Sequence, residues 1–221
     1  DNAGENIGRK VGHYHIAQCE TIKLLRQLLV KLERIVRING FNAVSTFDLF
    51  NVASRTFSGI DDMTAGRFEA IAAGLGELGQ NGCLLTPEYG ARQRVAALIT
   101  DMPLPYDDIY KGPPLCKKCG NCVSSCPAKA LSCKESNIIE LGGRKFEWLR
   151  HNRLRCDWAK RYGLVAEEGP GYIGSKNDFK VPADITPDVV CSTILESDRM
   201  QRSSYVSILE KCFTKCRAHQ K

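Results

Sequence analysis

Long apolar runs are missing from this chain of 221 residues: nothing approaches the roughly 18 consecutive apolar positions of a membrane-crossing helix. A signal-peptide pattern is missing too, so a cytoplasmic location is expected. Blocks of like charge do not occur, and Lys plus Arg (31) exceed Asp plus Glu (25) only to a formal net charge of +6. Scattered cations of this kind exclude a nucleic-acid-binding tail. They leave a mildly basic solvated surface, suited at most to steering an acidic partner. Internal repeats and low-complexity tracts are absent. With 43% hydrophobic and 25% charged residues the composition is that of a globular protein, long enough for one large domain or two small ones. Cysteine is what the chain does have. Eleven cysteines are too sparse for a disulfide scaffold of this length, and their clustering points to metal ligation in a reducing compartment.

From Ile16 to Ile38 apolar residues recur at three- and four-residue steps, predicting an amphipathic helix stopped by Asn39-Gly40. Phe41–Thr46 is a short β-like stretch, Ser54–Gly66 a loop, and Arg67–Ala73 a short helix closed by Gly74. Gly82–Thr86 and Arg94–Thr100 read as strands joined through the turn-rich Pro87–Gly90. Helices alternating with strands predict an α/β domain over residues 1–105. Met102–Pro114, with four prolines, leads into a cysteine-rich domain over 106–221. Glu167–Pro187 reads as irregular, and Ser203–Cys216 returns to helical spacing.

Cys116, Cys119, Cys122 and Cys126, followed by Pro127, have the bacterial ferredoxin spacing C-x2-C-x2-C-x3-C-P. Two-residue gaps let one tight loop present three thiolates to three irons of a cubane, while the fourth cysteine sits at a helical offset and faces away. Small residues between them let backbone N–H groups approach the sulfurs. Paired C-x2-C also suits zinc, but zinc requires neither the third step nor the Cys-Pro ending. Cys126 then serves a second [4Fe-4S] cluster, whose other ligands must come from Cys133, Cys156, Cys191, Cys212 and Cys216. The expected assignment is Cys116, Cys119, Cys122 and Cys216 for cluster one, and Cys126, Cys156, Cys191 and Cys212 for cluster two. Cys19 and Cys83 read as buried thiols.

From Gly74 through Gly76, Gly79 and Gly82, then Thr86-Pro87-Glu88-Tyr89-Gly90, Arg92–Val95 and Ile99–Leu104, the sequence resembles the corrinoid-dependent reductases, the reductive dehalogenases and epoxyqueuosine reductase. Together with the cysteine run the resemblance covers about Arg67 to Leu131. It is weaker at His13-Tyr14-His15, Gly40-Phe41 and Arg155-Cys156. It implies a nitroreductase-like α/β core that binds a cobalamin-type corrinoid, fed by a ferredoxin-like module with two [4Fe-4S] clusters. The residues implied against the corrinoid are Gly74, Gly76, Gly79, Gly82, Thr86, Pro87, Glu88 and Tyr89. From the residues themselves these glycines show only tight turns or close approach. The resemblance also implies a proton donor, for which Tyr14 and Asp48 stand in comparable positions. Their structural alternatives are an interfacial tyrosine and a helix N-cap before Leu49–Ala53.

Two functions follow as expectations. One is a corrinoid-dependent reductase that takes electrons from reduced ferredoxin or flavodoxin and cleaves a bond reductively. The other is a ferredoxin-like electron-transfer subunit of a larger redox complex. Transfer RNA is not expected as a partner, since the helical-repeat segment that grips it has no counterpart in this sequence.

Overall fold

The computed structural model describes residues 11–46, 66–126, 128–152, 154–156, 158, 181–196 and 211–218. Helix α1 (Val11–Ile38) begins five residues before the predicted start and ends where expected. Asn39 Nδ2 donates to the Ile35 carbonyl, and Gly40, at φ 87°, turns the chain out of the helix. Leu29 and Val36, two turns apart on one stripe, are its buried apolar residues. They face a ribbon of β1 (Ala43–Thr46) and β4 (Ala97–Thr100), paired antiparallel with Ala43 opposite Thr100. Arg37 Nη2 to the Ala43 carbonyl (2.8 Å) and Ser45 Oγ to Glu33 (2.9 Å) clamp helix to strand.

Helix α2 (Gly66–Ala72) starts on the residue expected to end a loop. Next come β2 (Glu77–Leu78) and β3 (Leu84–Leu85), which form a small antiparallel hairpin. The two predicted strands are thus shorter than expected, and each pairs elsewhere: Leu84–Leu85 with β2, Ala97–Thr100 with β1. A third ribbon went unpredicted. Strands β5 (Leu131–Leu141) and β6 (Arg144–His151) pair around Gly142-Gly143, both at positive φ, as a two-residue hairpin turn demands. All strand pairs among the described residues are antiparallel, so the architecture is mixed α and β built from three ribbons.

One core joins α2, the β2–β3 hairpin and β6. Phe68, Ala70, Ile71, Leu78, Leu84, Phe146 and Trp148 are buried in it, with Ile109, Ile139 and Leu141 packed alongside. Phe68 and Trp148 stack tilted, ring centroids 5.5 Å apart. The proline-rich 102–114 segment forms neither helix nor strand, yet Ile109 enters this core and the Tyr110 carbonyl accepts from Arg144 Nη1 at 2.7 Å. Residues on both sides of position 105 therefore share one interior.

Short helices follow: α3 (Asn121–Ser124), α4 (Pro187–Glu196) and α5 (Lys211–Thr214), with residues 154–156 and 158 also helical. The stretch expected to be irregular ends at Pro187, where α4 begins. Thr186 Oγ1 caps it by accepting the Val189 N–H at 3.3 Å, and proline suits a first helical position. A smaller cluster of Trp158 and Ile185, with Leu154 and Val189, ties α4 to the 154–158 segment.

Candidate metal centre

Glu77, on β2, sets the position of the cysteine loop. Its carboxylate is 7% exposed, and Oε1 accepts the backbone N–H groups of Leu115 (2.7 Å) and Cys116 (3.0 Å). Oε2 meets Arg144 at 3.3 Å. Downstream, Lys118 (φ 47°) and Gly120 (φ 73°) both adopt the left-handed conformation, and the chain coils back on itself before α3. Cys116 and Cys119 are presented from the loop, and Cys122 from the first turn of α3. Helix α5 packs on α3 and delivers Cys216 from the far end of the chain, with Asn81 Nδ2 donating to the Cys212 carbonyl at 2.9 Å.

Cys116, Cys119, Cys122 and Cys216 line one cavity, together with Gly79, Gln80 and Asn81. This is the foursome expected for cluster one. The Gln80 N–H donates to Cys116 Sγ at 3.3 Å, and Gln80 Oε1 is buried without a protein partner. Burial pushes the Cys122 thiol up to about 11, and the neighbouring Cys116 adds to the effect. Burial likewise raises Cys216, with Cys83, Cys116 and Cys119 contributing. Buried, mutually repelling thiols of this kind ionise when a cation takes them as ligands. Among the described residues no three His, Cys, Asp or Glu side chains converge to hold a single ion.

Cys126 lies outside this cavity and its Sγ accepts the Ala130 N–H at 3.3 Å. Asn152 N–H binds the Ala130 carbonyl, and Cys156 N–H binds that of Asn152. Arg155 staples the neighbouring segments, donating to Ala128 (2.6 Å), Pro182 (3.3 Å) and Ala183 (3.0 Å) carbonyls. The segments bearing Cys126 and Cys156 are thereby joined, close to the start of α4, which carries an exposed Cys191. Cys212 sits on α5, and Cys133 is exposed on β5. Cys83 is half-buried rather than fully buried, and lies within electrostatic reach of Cys216 and Arg67.

The glycines have roles inside the protein. A Cβ on Gly76 would collide with the Leu85 carbonyl, and one on Gly74 (φ 75°) with the Asp108 carbonyl. Gly79 lines the cysteine cavity, and Gly82 N–H bonds back to the Gly79 carbonyl. Thr86 is buried and exchanges backbone hydrogen bonds with Gly90, leaving Pro87, Glu88 and Tyr89 exposed on a turn. Tyr14 belongs to α1, with a side chain outside the described set, as is that of Cys19; Asp48 lies outside the described residues. Sequence reasoning missed Glu77, Gln80 and Asn81. The one available signal was three polar residues inside a glycine-rich stretch that otherwise reads as turn and strand.

The curated proteins that the chain resembles are named as reductases. Over 65 residues it is 43% identical to tetrachloroethene reductive dehalogenase of Desulfitobacterium hafniense, covering 28% of this chain and 12% of that protein. The namesake from Sulfurospirillum multivorans is 33% identical over 111 residues, 48% of this chain and 21% of the relative. Epoxyqueuosine reductase of Listeria monocytogenes is 31% identical over 118 residues, 53% of this chain and 26% of the relative. The matches thus span about an eighth to a quarter of the length of these relatives. No family model matches the chain.

Proposed function

We propose that this chain is an iron–sulfur electron-transfer unit of a reductase akin to the reductive dehalogenases and epoxyqueuosine reductases. The observation that carries the reading is the convergence of Cys116, Cys119, Cys122 and Cys216 on one cavity. A [4Fe-4S] cluster bound there supplies one-electron transfer at low potential. The chain's own groups would do the rest. The four thiolates hold the cluster, and Glu77 keeps the Leu115–Cys116 backbone in place for it. The Gln80 N–H withdraws charge from Cys116 Sγ, and such bonds favour the reduced state. The second cluster, on Cys126, Cys156, Cys191 and Cys212, is supported by the Arg155-centred bonds that join the first two of these segments.

The finer part of the proposal is a cobalt corrinoid as electron acceptor, supported by the likeness of the Gly74–Leu104 stretch. Gly74 and Gly76 offer it no open face, since their Cβ sides meet backbone. The exposed Pro87–Tyr89 turn is the part of the implied set left to contact a ligand. The same observation favours a second reading, an electron-delivery module with no corrinoid of its own. Anaerobic purification followed by assay of iron, acid-labile sulfide, zinc and cobalt tests all of this. Iron and sulfide in about equal amounts, roughly eight of each per chain, are expected for two cubanes. Zinc without sulfide overturns the iron–sulfur reading. Iron without cobalt after incubation with cobalamin overturns the corrinoid and leaves the delivery module.

A further inference from the structure

The cysteine cavity has a closed side and an open one. Cys122 is buried at the back, while Cys119 is exposed at the rim. Lys117, Lys118 and Arg217 also line the cavity and are exposed, whereas none of its described lining residues is acidic. The nearest carboxylate tied to the loop, Glu77, is buried and already committed to backbone N–H groups and Arg144. Three exposed cations and no described carboxylate thus stand together at the edge where the exposed Cys119 meets solvent. Lys118 sharpens the point. Its φ of 47° is a conformation that glycine adopts freely and that costs a residue with a side chain. A cation thus stands at a backbone position that disfavours any side chain.

From this we propose that the open rim of the cysteine cavity is the docking face for an acidic one-electron carrier protein, contacted by Lys117, Lys118 and Arg217. The proposal rests on the iron–sulfur reading and names the partner of that same site. Opposite charge steers encounter and fixes orientation, and it brings the carrier to the exposed Cys119 edge rather than the buried side. In the transfer one electron leaves the reduced carrier and is taken up at the cavity; no bond is made or broken and no proton moves. The other role open to these cations is local, offsetting the negative charge of a cluster and its thiolates, and it predicts different results.

The test uses the full chain with its clusters reconstituted, photoreduced acidic plant-type ferredoxin as carrier, and dithionite as small reductant. Wild type is compared with Lys117→Glu/Lys118→Glu, with Arg217→Glu, with the milder Lys117→Gln/Lys118→Gln, and with Lys145→Glu on β6 as a distant charge control. Iron content and far-UV spectra establish that each variant is loaded and folded. Docking predicts that ferredoxin binding, read by calorimetry, weakens about tenfold or more in the rim variants, and that electron-transfer rates fall in step. Wild-type binding should weaken as salt rises from about 0.02 to about 0.2 M, and the charge-reversed rim should lose that dependence. Lys145→Glu should behave as wild type, and in the rim variants electron transfer from ferredoxin should fall by clearly more than reduction by dithionite does. Unaltered ferredoxin binding in the rim variants overturns the proposal. So does a shifted potential with equally slowed ferredoxin and dithionite reactions, which assigns the cations to the cluster alone. Wild-type protein that takes up no iron and sulfide overturns the iron–sulfur reading as well, and is told apart from failed docking by its metal content.

Discussion

Glu77 makes three polar contacts, to the N–H groups of Leu115 and Cys116 and to Arg144. Truncation to alanine strands two donors beside a cysteine of the cavity, and each buried donor left unpaired costs about 1–3 kcal/mol. Glu77→Ala should therefore lower the urea midpoint and the iron bound per chain together. Glu77→Gln, which keeps an acceptor oxygen, should lose much less of both. Among the cysteines, geometry separates those that line the cavity from those that do not. Cys216→Ser should lose about half of the iron of a two-cluster protein, whereas Cys133→Ser, exposed on β5, should retain all of it by the same assay. None of this was visible from residue types alone: Glu77 is one acidic residue between a glycine and a leucine, and Cys216 is set apart from Cys133 only by where α5 lands.

At the scale of elements, the β5–β6 ribbon anchors the cysteine loop to the rest. Trp148 is 5% exposed, packs on Phe68 and sits over the Gly82 turn, while Arg144 on the same strand binds Glu77 and the Tyr110 carbonyl. Large-to-small changes of buried aromatic residues cost about 3–5 kcal/mol. Trp148→Ala should destabilise the protein by about that much in chemical denaturation. The ribbon escaped the sequence reading even though Phe146 and Trp148 alternate with Lys145 and Glu147 across a Gly-Gly turn. Its partner β5 is polar along much of its length, with Leu131 its buried residue, so the two-residue period was weak where it was needed most. Helix α1 was legible because Leu29 and Val36 belong to a long stripe, although Leu24, Leu28 and Ile35 of that stripe are exposed.

For the whole molecule, the thiols couple folding to pH. Cys122 is raised from the ordinary 9.0 to about 11 in the folded state, and Cys216 is raised as well. A raised thiol pKa contributes stability that is complete below 9.0 and is lost as pH climbs through about 11, because the unfolded chain releases its protons first. Metal-free protein should show a melting temperature that falls over that window, and Cys122→Ser should flatten the fall. In the metal-loaded protein the ligands are already deprotonated, so the slope should vanish, and iron uptake should rise with pH as protons are displaced.

The run from Cys116 to Cys126 could be read as a cluster-binding loop without any structure, because its spacing is a local property: two-residue gaps fix which thiols one loop presents. The stop at Asn39-Gly40 and the turn character of Gly74–Gly90 were local in the same sense. Cys216 was assigned to the same cluster from the sequence, but only tertiary structure brings α5 onto α3 and Cys216 into the cavity, since docking of a four-residue helix depends on a surface built by residues distant in the chain. Packing also decided that Gly74 and Gly76 face the protein's own backbone, that residues on either side of position 105 share a core, and that three cations gather at the open rim. Burial and charge clustering are sums over segments distant in the chain, and no window of sequence contains them.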